Sequence, residues 1–327
     1  MMNLISNMFG NSTKTLMPWL DKNAGAILGA FPDDQGAEVQ GIAKATGIEL
    51  GRLLLFNMAY ELFGFCTSIV AQDAAGHVWH ARNLDFGLWP AFDWKNMTWK
   101  LTETLRPLLF NANIQRGGKT LFTITSYAGF VGVHTGYRPG AFSATINSRY
   151  DNRFDAGIFN YIKGKVNRKE KVIITAMVRS AMEHNATYAA ALETVQRSQL
   201  VGPAYVILGG TQPGEGAVVT KEDNTTLSTW TLGDARKYND TFFVLQTNYD
   251  RWKKPLFIDD RRGPGRACMK QMGDGNISVA SLFNVLSGVP TLNRLTTFSV
   301  MMSPARGLYE AYEQHCEIDH RLTCAFF

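Results

Sequence analysis

At Cys66 the apolar residues change their spacing, and this switch limits what the chain can fold into. Residues 37–63 carry apolar side chains at helical spacing, through GIAKATG (41–47) and LGRLLLFNMAYEL (50–62). Directly afterwards CTSIVAQD (66–73) and HVWHARN (77–83) are short and rich in strand formers. The turn signal Asp73–Gly76 separates them, which predicts a hairpin. Strand-like runs continue through TWKLTETL (98–105), KTLFTITSY (119–127), FVGVHTG (130–136) and AFSATIN (141–147). Residues 155–197 read as helices, including VIITAMVRSAMEH (172–184) and ATYAAALETVQ (186–196). Strands return at 204–210, 215–221, 226–232 and 241–248. A helix at 278–288 closes on Gly288, and 295–302 is a last strand. Strands, helices, strands and then a helix predict an α+β layered sandwich rather than a βαβ parallel sheet.

Placing the chain in a cell draws on composition. Apolar residues make up 45% and charged residues 19%, which suits a folded globule. The net charge of +5 is too small and dispersed for nucleic-acid binding, though it mildly favours anionic membrane surfaces. No stretch reaches the ~20 apolar residues of a spanning helix. The nearest, residues 53–71, contains Asn57 and Glu61. MMNLISNMFG lacks the basic start and apolar block of a signal peptide. Yet Asn-x-Ser/Thr sequons stand at Asn11, Asn96, Asn185, Asn224, Asn239 and Asn276, pointing to a glycosylated protein of the secretory route. A start site further upstream would reconcile the two. Of the four cysteines, Cys316 and Cys324 are close enough in sequence to pair, which leaves Cys268 needing a partner if Cys66 is a working thiol. The alternative is four reduced thiols in a cytosolic structural protein.

Cys66 sits at the expected junction of helix and strand, beside Thr67 and Ser68. If the Phe65–Cys66 bond were cut, the new α-amino group, of pKa about 7.7–8.0, would lie next to the sulfur as its base. In HARNLDF, Arg82 and Asp85 both fall where they could reach back to the first strand. An arginine there anchors a carboxylate or favours a thiolate, and an aspartate orients an ammonium. Asn248, just past an apolar strand in QTNYDRW, offers an amide to a developing oxyanion. Arg261 in DDRR (259–262) offers a carboxylate partner. His77 and His80 would face opposite sides of a strand, so no metal pair is expected there.

These motifs together resemble the acid ceramidase and N-acylethanolamine acid amidase family of N-terminal-nucleophile hydrolases. The resemblance runs from about residue 15 to the C-terminus and keeps the family's motif order: YELFGFCTSIVAQD, GHVWHARNLDFG, SYAGFVGVHTGYRPGAFS, GPAYVILGG, GEGAVVT, QTNYDRWKKP and DDRR. It implies a four-layer αββα sandwich and a precursor that cleaves itself at Phe65/Cys66. Residues 1–65 would form a helical N-terminal chain, and 66–327 the catalytic domain. By matching positions, Cys66 is the nucleophile, Arg82 and Asp85 orient it, Asn248 stabilises the oxyanion and Arg261 supports the site. TETLRPL with Trp99, NYDRW and the tail cysteines place the chain nearer the ceramidase branch. Where the family carries Asn-Glu-Arg, this chain has Asn147–Ser148–Arg149, with Asp151 the nearest substitute acid. The family's early segment, with its partner for the position of Cys268, has no counterpart here.

The expected function is therefore amide hydrolysis of ceramide in the lysosome or after secretion, with no metal or cofactor. Expected partners are the N-acyl lipid, the chain's own cleaved N-terminal segment, an anionic membrane surface touched by KGKVNRKEK (163–171), and a lipid-presenting activator protein. Alternatives are N-acylethanolamine hydrolysis and, in another class, an inactive lipid-binding homologue motivated by Ser148.

Overall fold

The computed structural model describes residues 13–315 apart from 33, 59–63, 88–91, 97, 150–170, 223 and 236–239. It opens with helices α1 (Thr13–Lys22), α2 (Ala24–Leu28), α3 (Gln35–Thr46) and α4 (Leu50–Met58). Gly47 ends α3 at φ 70°, a left-handed cap that costs glycine no Cβ clash. The hairpin follows as β1 (Gly64–Gln72) and β2 (Val78–Phe86). Next come β3 (Phe92–Asp93), β4 (Thr98–Trp99), α5 (Lys100–Leu105), β5 (Leu109–Arg116), β6 (Lys119–Tyr127), β7 (Thr135–Arg138) and β8 (Phe142–Ser148). Helices α6 (Ile174–His184) and α7 (Tyr188–Arg197) lead to β9 (Ala204–Gly209), β10 (Gly216–Lys221), β11 (Thr226–Thr231), α8 (Leu232–Ala235) and β12 (Phe243–Gln246). The chain continues through α9 (Arg262–Met272), α10 (Val279–Ser287), β13 (Thr296–Ser303) and β14 (Leu308–Glu313). Among the described residues, no helix is long and apolar enough to cross a membrane.

Two antiparallel sheets lie face to face, one ordered β12-β1-β2-β13-β14 and the other β11-β10-β9-β8-β7-β6-β5. Strand alternation assigns the layers. Val70 and Val78 turn inward to meet Tyr205, Ile207, Val218 and Trp230 of the opposite sheet. Ile69, Ala71, Trp79 and Ala81 turn outward, onto Leu282 and Leu286 of α10. Helices α6 and α7 cover the outer face of the larger sheet, and α9 and α10 that of the smaller. The result is αββα. Close approach of the sheets needs a glycine at 216, where a Cβ would stand 2.8 Å from Val70 Cγ1.

Several local readings need correction. TWKLTETL gives only the short strand β4 and then α5, because Leu101 and Leu105 stand one helical turn apart and bury together. FVGVHTG is a strand only from Thr135. Strand β1 begins at Gly64, so Cys66 lies inside a strand rather than at its junction with a helix. Strands β5 and β14 and helix α9 were not expected. The last carries Gly263, Pro264 and Gly265 in its first turn, which masks its helical period. Residues 155–170 of the expected helical stretch, and the tail after His315, lie outside the described residues.

Between the sheets, near the hairpin, the layer turns polar. His80 bonds Ser143 Oγ (2.9 Å) and Thr145 Oγ1 (3.0 Å) across the gap. Burial, reinforced by the Arg82 charge, pushes its pKa down to about 3, and the same causes hold His134 well below the usual imidazole range. Both imidazoles are neutral in the fold, while the unfolded chain protonates them below about pH 6.5. Their contribution is present above that pH and is lost as pH falls toward the folded value. Replacing His80 by Gln should therefore shrink the stability difference between about pH 7 and about pH 4.5 by roughly 2–3 kcal/mol. Urea unfolding of the whole protein at both pH values checks this; an unchanged difference would mean that His80 is charged in the fold.

Candidate active site

The hairpin register places the chemistry. In the β1–β2 pair Cys66 stands opposite Leu84, Ser68 opposite Arg82 and Phe65 opposite Asp85. Directly opposed residues share a face, and neighbours along a strand alternate. Cys66, Ser68 and Arg82 therefore enter the layer between the sheets, while Phe65, Thr67 and Asp85 turn toward the α9 and α10 side. Arg82 reaches back to Cys66 on β1, and Asp85 sits opposite Phe65. They lie on opposite faces of β2.

On the inner face, Arg82 NH2 donates to Cys66 Sγ (3.1 Å) and to Ile146 O (2.9 Å). Its NH1 donates to Thr135 Oγ1 and to His134 O (3.5 Å), and the guanidinium lies over the Phe298 ring, 5.7 Å from the centroid. A fully buried cation is thus held against the sulfur by fixed acceptors. In so dry a place its charge favours negative charge on sulfur.

Arg261 organises the outer face. It donates to Asp85 Oδ2 (3.2 Å), Asp259 Oδ1 (2.8 Å), Thr67 Oγ1 (3.4 Å) and Asn248 Oδ1 (2.7 Å). Asn293 Nδ2 also donates to Asp85 Oδ2 (3.2 Å). Burial pushes the Asp85 carboxyl above its usual range, and the Arg261 charge and bonds from Thr296 and Asn293 only partly offset this. Its other oxygen, Oδ1, is buried and accepts no hydrogen bond among the described residues.

Asn248 links these groups to the backbone around Cys66. Its Oδ1 accepts from Cys66 N (2.8 Å), while its Nδ2 donates to Gly64 O (3.0 Å) and Ser148 O (2.7 Å). Cys66, Arg82, Asp85 and Asn248 are all fully buried, and Phe65 is half-buried. The uncut strand runs straight through this enclosure.

Sequence reasoning missed several contributors. Asn147 Oδ1 accepts from Ser68 Oγ (2.9 Å), and its Nδ2 donates to Gln246 O (2.9 Å) and reaches Cys66 O (3.4 Å). Arg149 forms a fork on Asp250 (2.7 and 3.0 Å) and also bonds Glu222 (2.6 Å), tying the end of β8 to the loop of Asn248. Polar side chains at every second position of FSATINSR, inside an otherwise apolar strand, were the available signal. What Ser148 gives this site is its carbonyl. Asp151, Cys316, Cys324, Asn11, Asn239 and residues 163–170 lie outside the described residues. Cys268 is half-buried on α9 and in no disulfide among the described residues. Of the remaining sequons, Asn96, Asn224 and Asn276 are exposed and Asn185 is half-buried.

Comparison with known proteins is consistent with this chemistry. Residues 66–265 match the family of linear amide C–N hydrolases described as the choloylglycine hydrolase family, a match that begins at Cys66 itself. The acid ceramidase of Heterocephalus glaber is 41% identical over 323 residues, covering 97% of this chain and 80% of that protein. The acid ceramidase of Homo sapiens is 41% identical over 311 residues, 95% and 77% respectively. A solved structure, the Caenorhabditis elegans N-acylethanolamine-hydrolyzing acid amidase ortholog, is similar with a TM-score of 0.61 and 32% identity, covering 73% of this chain and 93% of that one.

The enclosure can be tested directly. In freshly purified chain whose mass proves the Phe65–Cys66 bond intact, Cys66 should be alkylated by iodoacetamide at least roughly tenfold more slowly than half-buried Cys268. Peptide mapping gives both rates, and equal rates would refute the closed site.

Proposed function

The chain belongs to the choloylglycine hydrolase family of linear amide C–N hydrolases, with the αββα sandwich of N-terminal-nucleophile hydrolases, and from that premise we propose that it cuts itself between Phe65 and Cys66 and then uses Cys66 to hydrolyse ceramide to sphingosine and a fatty acid. The observation that carries the reading is the junction itself: Asn248 grips Cys66 N and Gly64 O on either side of the bond to be cut, with Arg82 on the sulfur.

In the first stage Cys66 Sγ attacks the Phe65 carbonyl carbon. The Phe65–Cys66 C–N bond breaks, the nitrogen keeps its electron pair and takes a proton as the new α-amine, and a thioester links Phe65 to the sulfur. Water hydrolyses this ester, leaving a Phe65 carboxylate and a free thiol. In the second stage the amine takes the thiol proton and the sulfur attacks the lipid amide carbon. The amine then returns that proton to the departing sphingosine nitrogen. A second water, its proton taken by the same amine, releases the fatty acid.

Roles follow from the contacts. Asp85 Oδ1, free to accept, holds the new amino group, and Arg261 ties that carboxylate to Asn248. Asn248 Nδ2 is occupied by Gly64 O in the uncut chain; withdrawal of Gly64 after the cut frees that N–H for the substrate oxyanion. In acid the amine must stay partly neutral, and the buried Arg82 and Arg261 charges act in that direction. A base held on the nucleophile's own residue also removes the entropy of recruiting one. The N-terminal chain remains attached, because Leu20, Ile27, Val39 and Leu53–Phe56 share one buried cluster with Phe122, Ile146 and Val206 of the larger sheet.

The 41% identity to acid ceramidases over nearly the whole chain supports ceramide as substrate. The 32% identity to the amidase ortholog supports a second reading, in which an N-acylethanolamine is cut by the same machinery. An inactive lipid-binding homologue was motivated by Ser148, but the contact at that position comes from a main-chain carbonyl that any residue supplies. Exposed sequons support residence in the lysosome or outside the cell, where a lipid-presenting activator protein would assist.

Incubated at acidic pH, the protein should resolve into two chains by intact mass, with Cys66 first in N-terminal sequencing. Cys66→Ala should stay whole and inactive; an active, uncut wild type would sink the proposal. Asn248→Ala should lower kcat on ceramide by about 10²–10³-fold in any cut fraction. Ceramide should turn over faster than palmitoylethanolamide, and the reverse order would favour the second reading.

A further inference from the structure

Three side chains of β8 meet two of the hairpin across the gap between the sheets, and their bonds join into one line. Ser143, Thr145 and Asn147 stand at alternate positions of β8, Ser68 on β1 and His80 on β2, and all five are fully buried. The links run from His80 Nε2 to Thr145 Oγ1 (3.0 Å), on to Ser68 Oγ (2.8 Å), to Asn147 Oδ1 (2.9 Å), and from Asn147 Nδ2 to Cys66 O (3.4 Å). Packing alone does not call for such a line. Apolar groups of matched shape in place of both partners of a buried hydrogen bond cost little stability, and Val70 and Val78 fill the next inward positions in that way.

The bonds can point in only one direction. Asn147 Nδ2 faces three carbonyls, those of Gln246 (2.9 Å), Thr247 (3.2 Å) and Cys66, which sets the amide with its oxygen toward Ser68. Ser68 has one hydroxyl proton and gives it to that oxygen. Thr145 must then donate to Ser68, and His80 must donate to Thr145 from Nε2. In the neutral imidazole Nδ1 is bare and takes the Ser143 hydroxyl proton (2.9 Å), for which Gly209 O (3.2 Å) competes. Each donor in such a line polarises the next, so the effect ends on the Asn147 amide.

We propose that Ser68 and Thr145 are positioning residues, which with His80 lock the Asn147 amide so that it holds Cys66 by its carbonyl once the Phe65–Cys66 bond is gone. A chain-terminal residue is free to turn about its Cα–C bond. With Asn147 on the carbonyl and Asn248 on the nitrogen, that rotation is closed and the sulfur stays beside Arg82. The inference rests on Cys66 being the freed nucleophile of the proposed function.

The test compares cut protein from wild type, Ser68→Ala, Thr145→Val and the double variant, with ceramide as substrate. Each single change should lower kcat about tenfold and leave KM within about twofold, because a loosely held nucleophile costs rate rather than substrate binding. The double variant should lose no more than either single one, since a broken line cannot be broken again. Thr145→Ser, which keeps the hydroxyl, should retain most of the wild-type rate. Urea unfolding of the same proteins separates lost position from lost fold. Nitrogen NMR of histidine-labelled wild type should find His80 protonated at Nε2, a readout that needs no variant to fold. Additive losses in the double variant, equal rates for Thr145→Val and Thr145→Ser, or a proton on Nδ1 alone would overturn the proposal. Any of these in a cut, active wild-type background defeats this role alone, whereas a wild type that stays whole and inactive defeats the proposed function and this role with it.

Discussion

One buried side-chain amide, that of Asn248, connects the parts of this molecule. Its oxygen takes the N–H of Cys66 and a guanidinium hydrogen of Arg261, and its nitrogen serves the carbonyls of Gly64 and Ser148. The edge strand β12, the first strand of the hairpin, the end of β8 and the start of α9 all meet at this amide. Each partner is buried, so loss of the amide leaves several polar groups unsatisfied at about 1–3 kcal/mol apiece. The same saturation means that its donors are already engaged while the chain is whole. In the proposed mechanism, structural anchor and oxyanion donor are successive states of one group, separated by the departure of Gly64.

Around that amide, the space between the sheets divides in two. At one end Val70, Val78, Tyr205, Ile207, Val218 and Trp230 make a conventional apolar core. Toward the site the inward positions become Cys66, Ser68, His80 and Arg82, facing Ser143, Thr145 and Asn147. A buried arginine is costly unless nearly all its donors are used. Arg82 meets that condition by spending its donors on two carbonyls, a hydroxyl and the sulfur, which fixes its position and its charge. The polar layer also explains why two neutral histidines occur in an enzyme expected to work in acid: each lies within the field of Arg82, which disfavours a second buried cation.

Much of the fold was legible because its strands carry strong patterns. The hairpin around the Asp73–Gly76 turn, the runs from Ala204 to Gln246 and the helix closing on Gly288 follow from local composition and turn chemistry. Where local signals compete, reading failed. TWKLTETL is threonine-rich and looks extended, but the leucines bury only as a helix, and α9 is hidden behind glycine and proline. At the site the residue types were readable and their directions were not. The alternation that separates His77 from His80 also separates Arg82 from Asp85, and the paired register shows which side of the sheet each takes. The polar alternation of FSATINSR marked Asn147 and Arg149, but their partners depend on strands brought together across the sandwich.

The proposed cut falls inside β1, where a break would be ruinous in most strands. In the whole chain Gly64 and Phe65 pair with Phe86 and Asp85, while Cys66 to Gln72 pair independently with Leu84 back to Val78. The long stretch from Cys66 to Gln72 therefore has its own pairing with β2, whatever becomes of the two residues before it. The helices before β1 are held by the common core rather than by chain continuity, with Leu20, Ile27, Val39 and Leu53 buried among residues of the larger sheet. Cutting therefore frees little chain entropy to unravel the domain, and the change stays local. By the proposed mechanism it releases one amine, one carboxylate and the short reach of strand over Asn248. Those are the elements needed to turn a closed, satisfied junction into an open nucleophile.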